Sequence, residues 1–156
     1  MHSFMARPLL FVRPRTTQPM IRQEPRPAPR VLVVDDEIRI AQLVAEVLEA
    51  EGYEVDTAAN GLLALEQIDA RDYDLILSDL RMPELDGLGL YREIERRWPT
   101  LLERLLFFSG TTEQPEYHRF LAETSRPVLL KPFALVDLLQ VTHQMLVEQR
   151  REPERA

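Results

Sequence analysis

From residue 31 to about residue 149, short apolar runs alternate with amphipathic stretches, and this alternation restricts the possible folds more than any other feature of the chain. The runs lie at 31–34, 54–58 (the weakest), 75–77, 105–108 and 128–130. Apolar runs this short and continuous suit strands buried on both faces of a parallel sheet. Between and after them lie segments with helical patterning, roughly 37–51, 61–70, 86–97, 113–124 and 134–149. In the first helix Ile40, Leu43, Val44, Val47 and Leu48 form one stripe, and Gly52 marks its end. Five strands each followed by a helix, joined by right-handed crossovers, predict a doubly wound α/β sandwich, a (βα)5 fold with a five-stranded parallel sheet of order 2-1-3-4-5.

Composition places this domain within the chain. The first 30 of 156 residues hold six of the twelve prolines and six Arg against one acid, Glu24, a net charge of +5. The other 126 residues hold 13 bases and 25 acids, a net of −12. A Pro- and Arg-rich segment cannot bury enough apolar surface to offset its ordering entropy. Residues 1–29 therefore read as a disordered tail, 30–149 as one domain and 150–156 as a polar C-terminal tail. Two readings of the N-terminal tail stand open: a basic arm that touches nucleic acid, lipid or the acidic domain, or an inert extension upstream of a later start at Met5 or Met20. Without cysteine there is no disulfide scaffold or thiolate metal site, and three His residues (His2, His118, His143) do not make a multi-His zinc enzyme. The apolar run at 9–12 is far short of the ~20 residues of a membrane helix. A soluble, cytoplasmic protein with no membrane span is expected.

Open α/β sheets place their ligand sites at the carboxyl ends of the strands. Here the first strand ends in Asp35-Asp36-Glu37, the third in Asp79, the fourth in Ser109-Gly110 and the fifth in Lys131-Pro132. Singly, each has a structural explanation: Asp35 or Asp36 as a helix cap, Asp79 as the start of a turn. Together they put acids, a hydroxyl and an ammonium on one edge of the sheet. Lys131 is the only Lys among nineteen basic residues, which points to a site that takes a compact point charge instead of a planar fork. Asp86-Gly87 is a turn signal that also caps the third helix, Glu37 supports the start of the first, and Pro115 suits a first helical turn. Thr111 and Thr112 read as loop or cap residues.

These pieces, VLVVDDE at 31–37, DLILSDLRMPELDGL at 74–88, LLFFSG at 105–110 and VLLKPF at 128–133, resemble the receiver domain of two-component response regulators, a flavodoxin-like fold. The resemblance covers about residues 30–149. It implies that Asp79 accepts a phosphoryl group from a phosphohistidine of a sensor histidine kinase or phosphotransfer protein, and that Ser109 and Lys131 contact that group. It further implies an oxygen-lined Mg²⁺ (or Mn²⁺) site made by Asp36, Asp79 and the backbone carbonyl of Arg81, with Asp35 acting through water or an alternative contact. A cis bond before Pro132 is also implied. One departure stands out: many receivers carry an aromatic three positions before the lysine, and here that position is Val128. The Arg81 side chain, two residues past the phosphoacceptor, is expected to influence access to the phosphoryl group.

No output domain follows in the sequence, so a stand-alone receiver acting on an unknown downstream protein is expected, without sequence-specific DNA binding. Ile38 lies ~160° around the helix axis from Ile40. By the resemblance Ile38, Ala41 and Gln42, with Phe133, dock the kinase. On the last helix Leu135, Leu138, Val141, Thr142 and Met145 can face the sheet, Val136 points elsewhere, and Leu139 and Leu146 widen the stripe. Tyr117, His118 and Phe120 could extend a partner surface. The competing readings are a receiver-like scaffold that works without phosphorylation and an aspartate-dependent phosphohydrolase; the latter family places Asp-x-Asp after its first strand, where this chain has Asp35-Asp36-Glu37.

Overall fold

A computed structural model of the protein describes residues 27–110 and 114–151, with Arg150 and Arg151 described by backbone alone. Positions 1–26 of the expected N-terminal tail, Thr111 and Thr112, and positions 152–156 lie outside the described residues. The strands are β1 (Arg30–Val34), β2 (Glu54–Ala58), β3 (Leu75–Asp79), β4 (Leu105–Ser109) and β5 (Val128–Leu130). They form one parallel sheet of order β2-β1-β3-β4-β5, as the alternation predicted. The helices are α1 (Ile38–Ala50), α2 (Gly61–Ala70), α3 (Gly87–Arg97), α4 (Pro115–Glu123) and α5 (Leu135–Arg151), so α5 runs two residues past the expected boundary at 149.

Alternate strand residues feed two cores, as a pleated strand requires. Val31, Val33, Leu75, Leu77, Leu106 and Phe108 pack with α1 and α5 on one face. Leu32, Val34, Ile76, Leu105 and Phe107 pack with α2, α3 and α4 on the other. Every residue of β3 and β4 is buried, whereas the edge strands β2 and β5 are partly exposed. A buried Leu or Phe contributes about 1.5–3 kcal/mol. A surface ion pair such as Arg30–Glu54 contributes about 0–1 kcal/mol, so apolar burial sets the register.

Four residues lie off their expected faces: Leu43, Leu135, Tyr117 and Phe120. Leu43 is 49% exposed; Val44 and Leu48 of the expected stripe are buried, and Ala41 and Ala45 complete the α1 core face, their small side chains letting the helix approach the sheet. On α5, Leu135 is exposed instead of facing the sheet, whereas Leu138, Thr142 and Met145 are buried, Val141 packs against the core and Val136 is exposed, as expected; Leu146 is buried and Leu139 packs beside it. Tyr117 is buried, and Phe120 packs into an aromatic cluster with Tyr91 and Phe107, leaving His118 as the exposed member of that trio. A 3-10 turn at Pro99–Arg104, absent from the sequence reading, opens on Pro99 and is tied down by Arg126 donating to the Leu102 carbonyl at 3.2 Å.

Helix starts follow local chemistry. Asn60 accepts from the Leu63 N–H at 2.9 Å to cap α2, and Asp86 accepts from the Gly89 N–H at 2.7 Å to cap α3, as expected. Glu37 supports α1 through its backbone: its carbonyl accepts from the Ile40 and Ala41 N–H groups, and its side chain makes no cap. Pro115 opens α4. In the loop after β3, Glu84 sits at φ 67°, a left-handed conformation that disfavours residues with a Cβ. Replacing Glu84 with Gly removes that penalty at some cost in unfolded-chain entropy, so Glu84→Gly is expected to gain up to about 1 kcal/mol of stability. Urea denaturation checks it, and an unchanged or lower midpoint would contradict the assignment.

Candidate functional site

The strand order brings the carboxyl ends of β1 and β3 side by side, and their register pairs Val34 with Ser78. The next residues, Asp35 and Asp79, therefore meet across neighbouring strands. Both are buried, at 1% and 7% exposure, whereas Asp36 is exposed. Carboxylate oxygens of Asp35, Asp36 and Asp79 all lie within 4.8 Å of one another. At such distances two carboxylates repel by roughly 3 kcal/mol near a protein surface.

Among the described residues, one ammonium answers this charge. From the loop after β5, Lys131 reaches Asp35 Oδ2 at 2.9 Å and Asp79 Oδ2 at 3.3 Å. Its placement is fixed by the sheet, since its N–H donates to the Ser109 carbonyl at 2.7 Å. The peptide bond to Pro132 is cis, as the resemblance implied. The remaining carboxylate oxygens turn to backbone: Asp35 Oδ1 accepts from the Glu37 N–H at 2.9 Å, and Asp79 Oδ1 from the Leu80 N–H at 2.9 Å. Ser109, at the end of β4, is buried, and its hydroxyl donates to the Gly110 carbonyl at 2.9 Å.

A cleft of about 620 Å³ opens over this cluster, lined by Asp36, Asp79, Arg81, Gly110, Tyr117 and Lys131 among others. Three carboxylates balanced by a single ammonium leave net negative charge at its floor, and all the charged acceptors are hard oxygens. That donor set fits a small divalent cation such as Mg²⁺ and lacks the soft ligands of a zinc or copper site. The Arg81 side chain is exposed at the cleft.

The residues expected to dock a partner are placed less uniformly. Ile38 is 65% exposed and Gln42 is exposed, but Ala41 is buried in the core and offers no surface. Phe133 is half-buried and stacks on Phe108 with centroids 4.9 Å apart, so much of its face is used inside the domain. Tyr117 is the cleft residue that sequence reasoning placed elsewhere. Its hydroxyl donates to Asp86 Oδ2 at 2.8 Å, a contact across 31 residues that no local pattern signals.

The family model of the response regulator receiver domain matches residues 31–143. The response regulator receiver protein CpdR of Brucella abortus is 31% identical over 118 residues, which cover 76% of this chain and 97% of CpdR. The sensor kinase CckA of the same organism is 34% identical over 121 residues, covering 76% of this chain and 13% of the kinase. Among solved structures, the chemotaxis protein CheY4 of Vibrio cholerae has a TM-score of 0.64 at 31% identity, covering 76% of this chain and 98% of that one. The chain spans between 13% and 55% of the length of four of the curated relatives it matches.

The electrostatics of the cluster carry a stability consequence. Burial pushes the Asp79 carboxyl above its ordinary value; Lys131 pulls it down, Asp35 pushes it up, and the net shift is upward. Burial works to lower the Lys131 ammonium, but the hydrogen bond it donates to Asp35 and the charges of Asp79 and Asp35 outweigh it, and Lys131 is raised. A carboxyl that ionises less readily in the folded state costs nothing at acid pH. The cost develops as pH climbs from the unfolded value through the folded one, and is complete only above both. Asp79→Asn is therefore expected to raise the thermal midpoint at neutral pH without divalent ions, and the gain should vanish towards pH 3. A midpoint that falls at neutral pH would contradict this account of the cluster.

Proposed function

Since the chain belongs to the response regulator receiver domain family, and hence to two-component phosphorelay signalling, we propose that Asp79 is its phosphoacceptor. The observation that carries this reading is the convergence of Asp35, Asp36, Asp79 and Lys131 on one cleft floor at the end of the sheet. A carboxylate oxygen of Asp79 attacks the phosphorus of a phosphohistidine on a sensor histidine kinase or phosphotransfer protein, and the P–N bond breaks. This is phosphoryl transfer, which depends on positioning and charge neutralisation. The protein is a signalling component that catalyses only its own phosphorylation and dephosphorylation.

The placement of each side chain supports a role in this reading. The backbone N–H of Leu80 fixes one Asp79 oxygen. The other faces Lys131, whose ammonium is placed to pair with a phosphoryl oxygen once the acceptor is modified. Ser109 lies at the end of the adjacent strand, and turning its hydroxyl from the Gly110 carbonyl makes it a donor to a second phosphoryl oxygen. Asp36, Asp79 and the Arg81 carbonyl would hold Mg²⁺, with Asp35 acting through water or an alternative contact, and the bound ion supplies the positive charge that lets an anionic donor approach three carboxylates. Ile38 and Gln42, exposed at the start of α1 beside this edge, are the kinase-facing residues that remain accessible. The signal then passes to another protein, in the cytoplasm. Among the described residues no helix is long and apolar enough to cross a membrane.

Incubation with Mg²⁺ and phosphoramidate, followed by intact mass measurement, tests the assignment. The wild type is expected to gain one phosphoryl group and Asp79→Ala none. A wild type that stays unmodified with small donors and with histidine kinases, or an Asp79→Ala variant modified equally, would overturn it. Arg81→Ala is expected to change the lifetime of the phosphorylated form, because this side chain lines the entrance to the acceptor; equal lifetimes would remove that role.

A further inference from the structure

The Asp86 carboxylate is used twice. One oxygen caps α3 through the Gly89 N–H at 2.7 Å, and the other accepts from the Tyr117 hydroxyl of α4 at 2.8 Å. Tyr117 is 7% exposed, and burial together with this hydrogen bond pushes its phenol up to about 12. The next residue, Gly87, donates its N–H to the Leu80 carbonyl at 2.9 Å. Gly87 also packs so closely on the backbone of Asp79 that a Cβ there would collide with the Asp79 carbonyl oxygen and sit 2.8 Å from Leu80 Cα. A continuous set of contacts therefore runs from the α4 phenol through Asp86 and Gly87 to the peptide of Asp79 itself. A few residues on, Phe120 packs edge-on against Tyr91 of α3 and Phe107 of β4, at 5.1 and 5.4 Å between centroids. On β5 the facing position is Val128, half-buried against the same core, with no aromatic ring to report on Ser109.

We propose that Tyr117 is a positioning residue that couples α4 to the backbone of the phosphoacceptor through Asp86 and Gly87. This rests on the reading of Asp79 as the phosphoacceptor. The phenol holds α4 in the arrangement in which Ser109 keeps its hydroxyl on Gly110, and a change at Asp79 reaches α4 through the β3–α3 loop instead of through a ring on β5. Coupling of this kind needs a physically connected element that both sites bias, and the shared Asp86 carboxylate supplies it.

Two variants separate coupling from local packing. Tyr117→Phe removes only the hydroxyl. Asp86→Ser keeps an oxygen able to cap α3 but not one that also reaches the phenol. Amide hydrogen exchange on both variants is expected to accelerate roughly fivefold at Gly87 and Leu80 as well as in the first turn of α4, the effect of losing one buried hydrogen bond on local opening. The rate of modification by phosphoramidate should rise by a similar factor, because the resting arrangement is no longer held. Exchange that accelerates in α4 alone, with Gly87 and Leu80 unchanged in both variants, would overturn the proposal. If neither wild type nor variants take up a phosphoryl group, the phosphoacceptor reading fails, while the exchange pattern still decides whether α4 and the Asp79 backbone are coupled.

Discussion

Like charge crowded at one end of a sheet is the constraint on which the rest of the structure depends. Asp35 and Asp79 are buried side by side because β1 and β3 are neighbours, and Asp36 adds a third carboxylate within 4.8 Å. Such a cluster persists only where opposing charge and hydrogen bonds answer it. Here the answer is spread over separate elements: the Glu37 and Leu80 N–H groups each hold one oxygen, and Lys131 arrives from the far side of the sheet to hold two more. Because the ammonium belongs to the loop after β5, the acids cannot be balanced until the sheet is complete. Among the described residues three carboxylates against one ammonium leave a deficit, and the proposed cation site rests on that deficit.

Much of this was legible in the chain, for physical reasons. The central strands bury both faces, so their apolar runs are continuous and easy to find, and the charged or hydroxyl residues that close them lie at the carboxyl edge of the sheet. Asp35, Asp79, Ser109 and Lys131 were found in that way. The single Lys was a second signal, since a cluster of two buried carboxylates leaves room for a compact charge on a flexible stem.

What escaped was set by packing between elements. Ala41 lies on the core side of α1 because the helix sits close to the sheet, and a hydrophobicity pattern ranks Leu43 above it. The turn at Pro99–Arg104 depends on an anchor from Arg126, more than twenty residues away. On the short helix α4, Tyr117 could be assigned to either face; its burial is decided by Asp86, whose capping role was legible and whose second partner was not. The departure at Val128 also takes on a structural meaning. With no aromatic there, Phe120 supplies a ring that packs on Phe107 of β4 and Tyr91 of α3, and Tyr117 ties α4 to the β3–α3 loop.

The central claim is that the acidic cluster is built to take a divalent cation that its own lysine does not replace. Calorimetric titration of the metal-free protein with Mg²⁺ measures this directly, with Asp36→Asn beside it, because Asp36 is the exposed member of the cluster and its loss leaves the core intact. One site of a single affinity in the wild type, weakened about tenfold or more in Asp36→Asn, is the predicted result. No saturable binding, or equal binding by the two proteins, would contradict it.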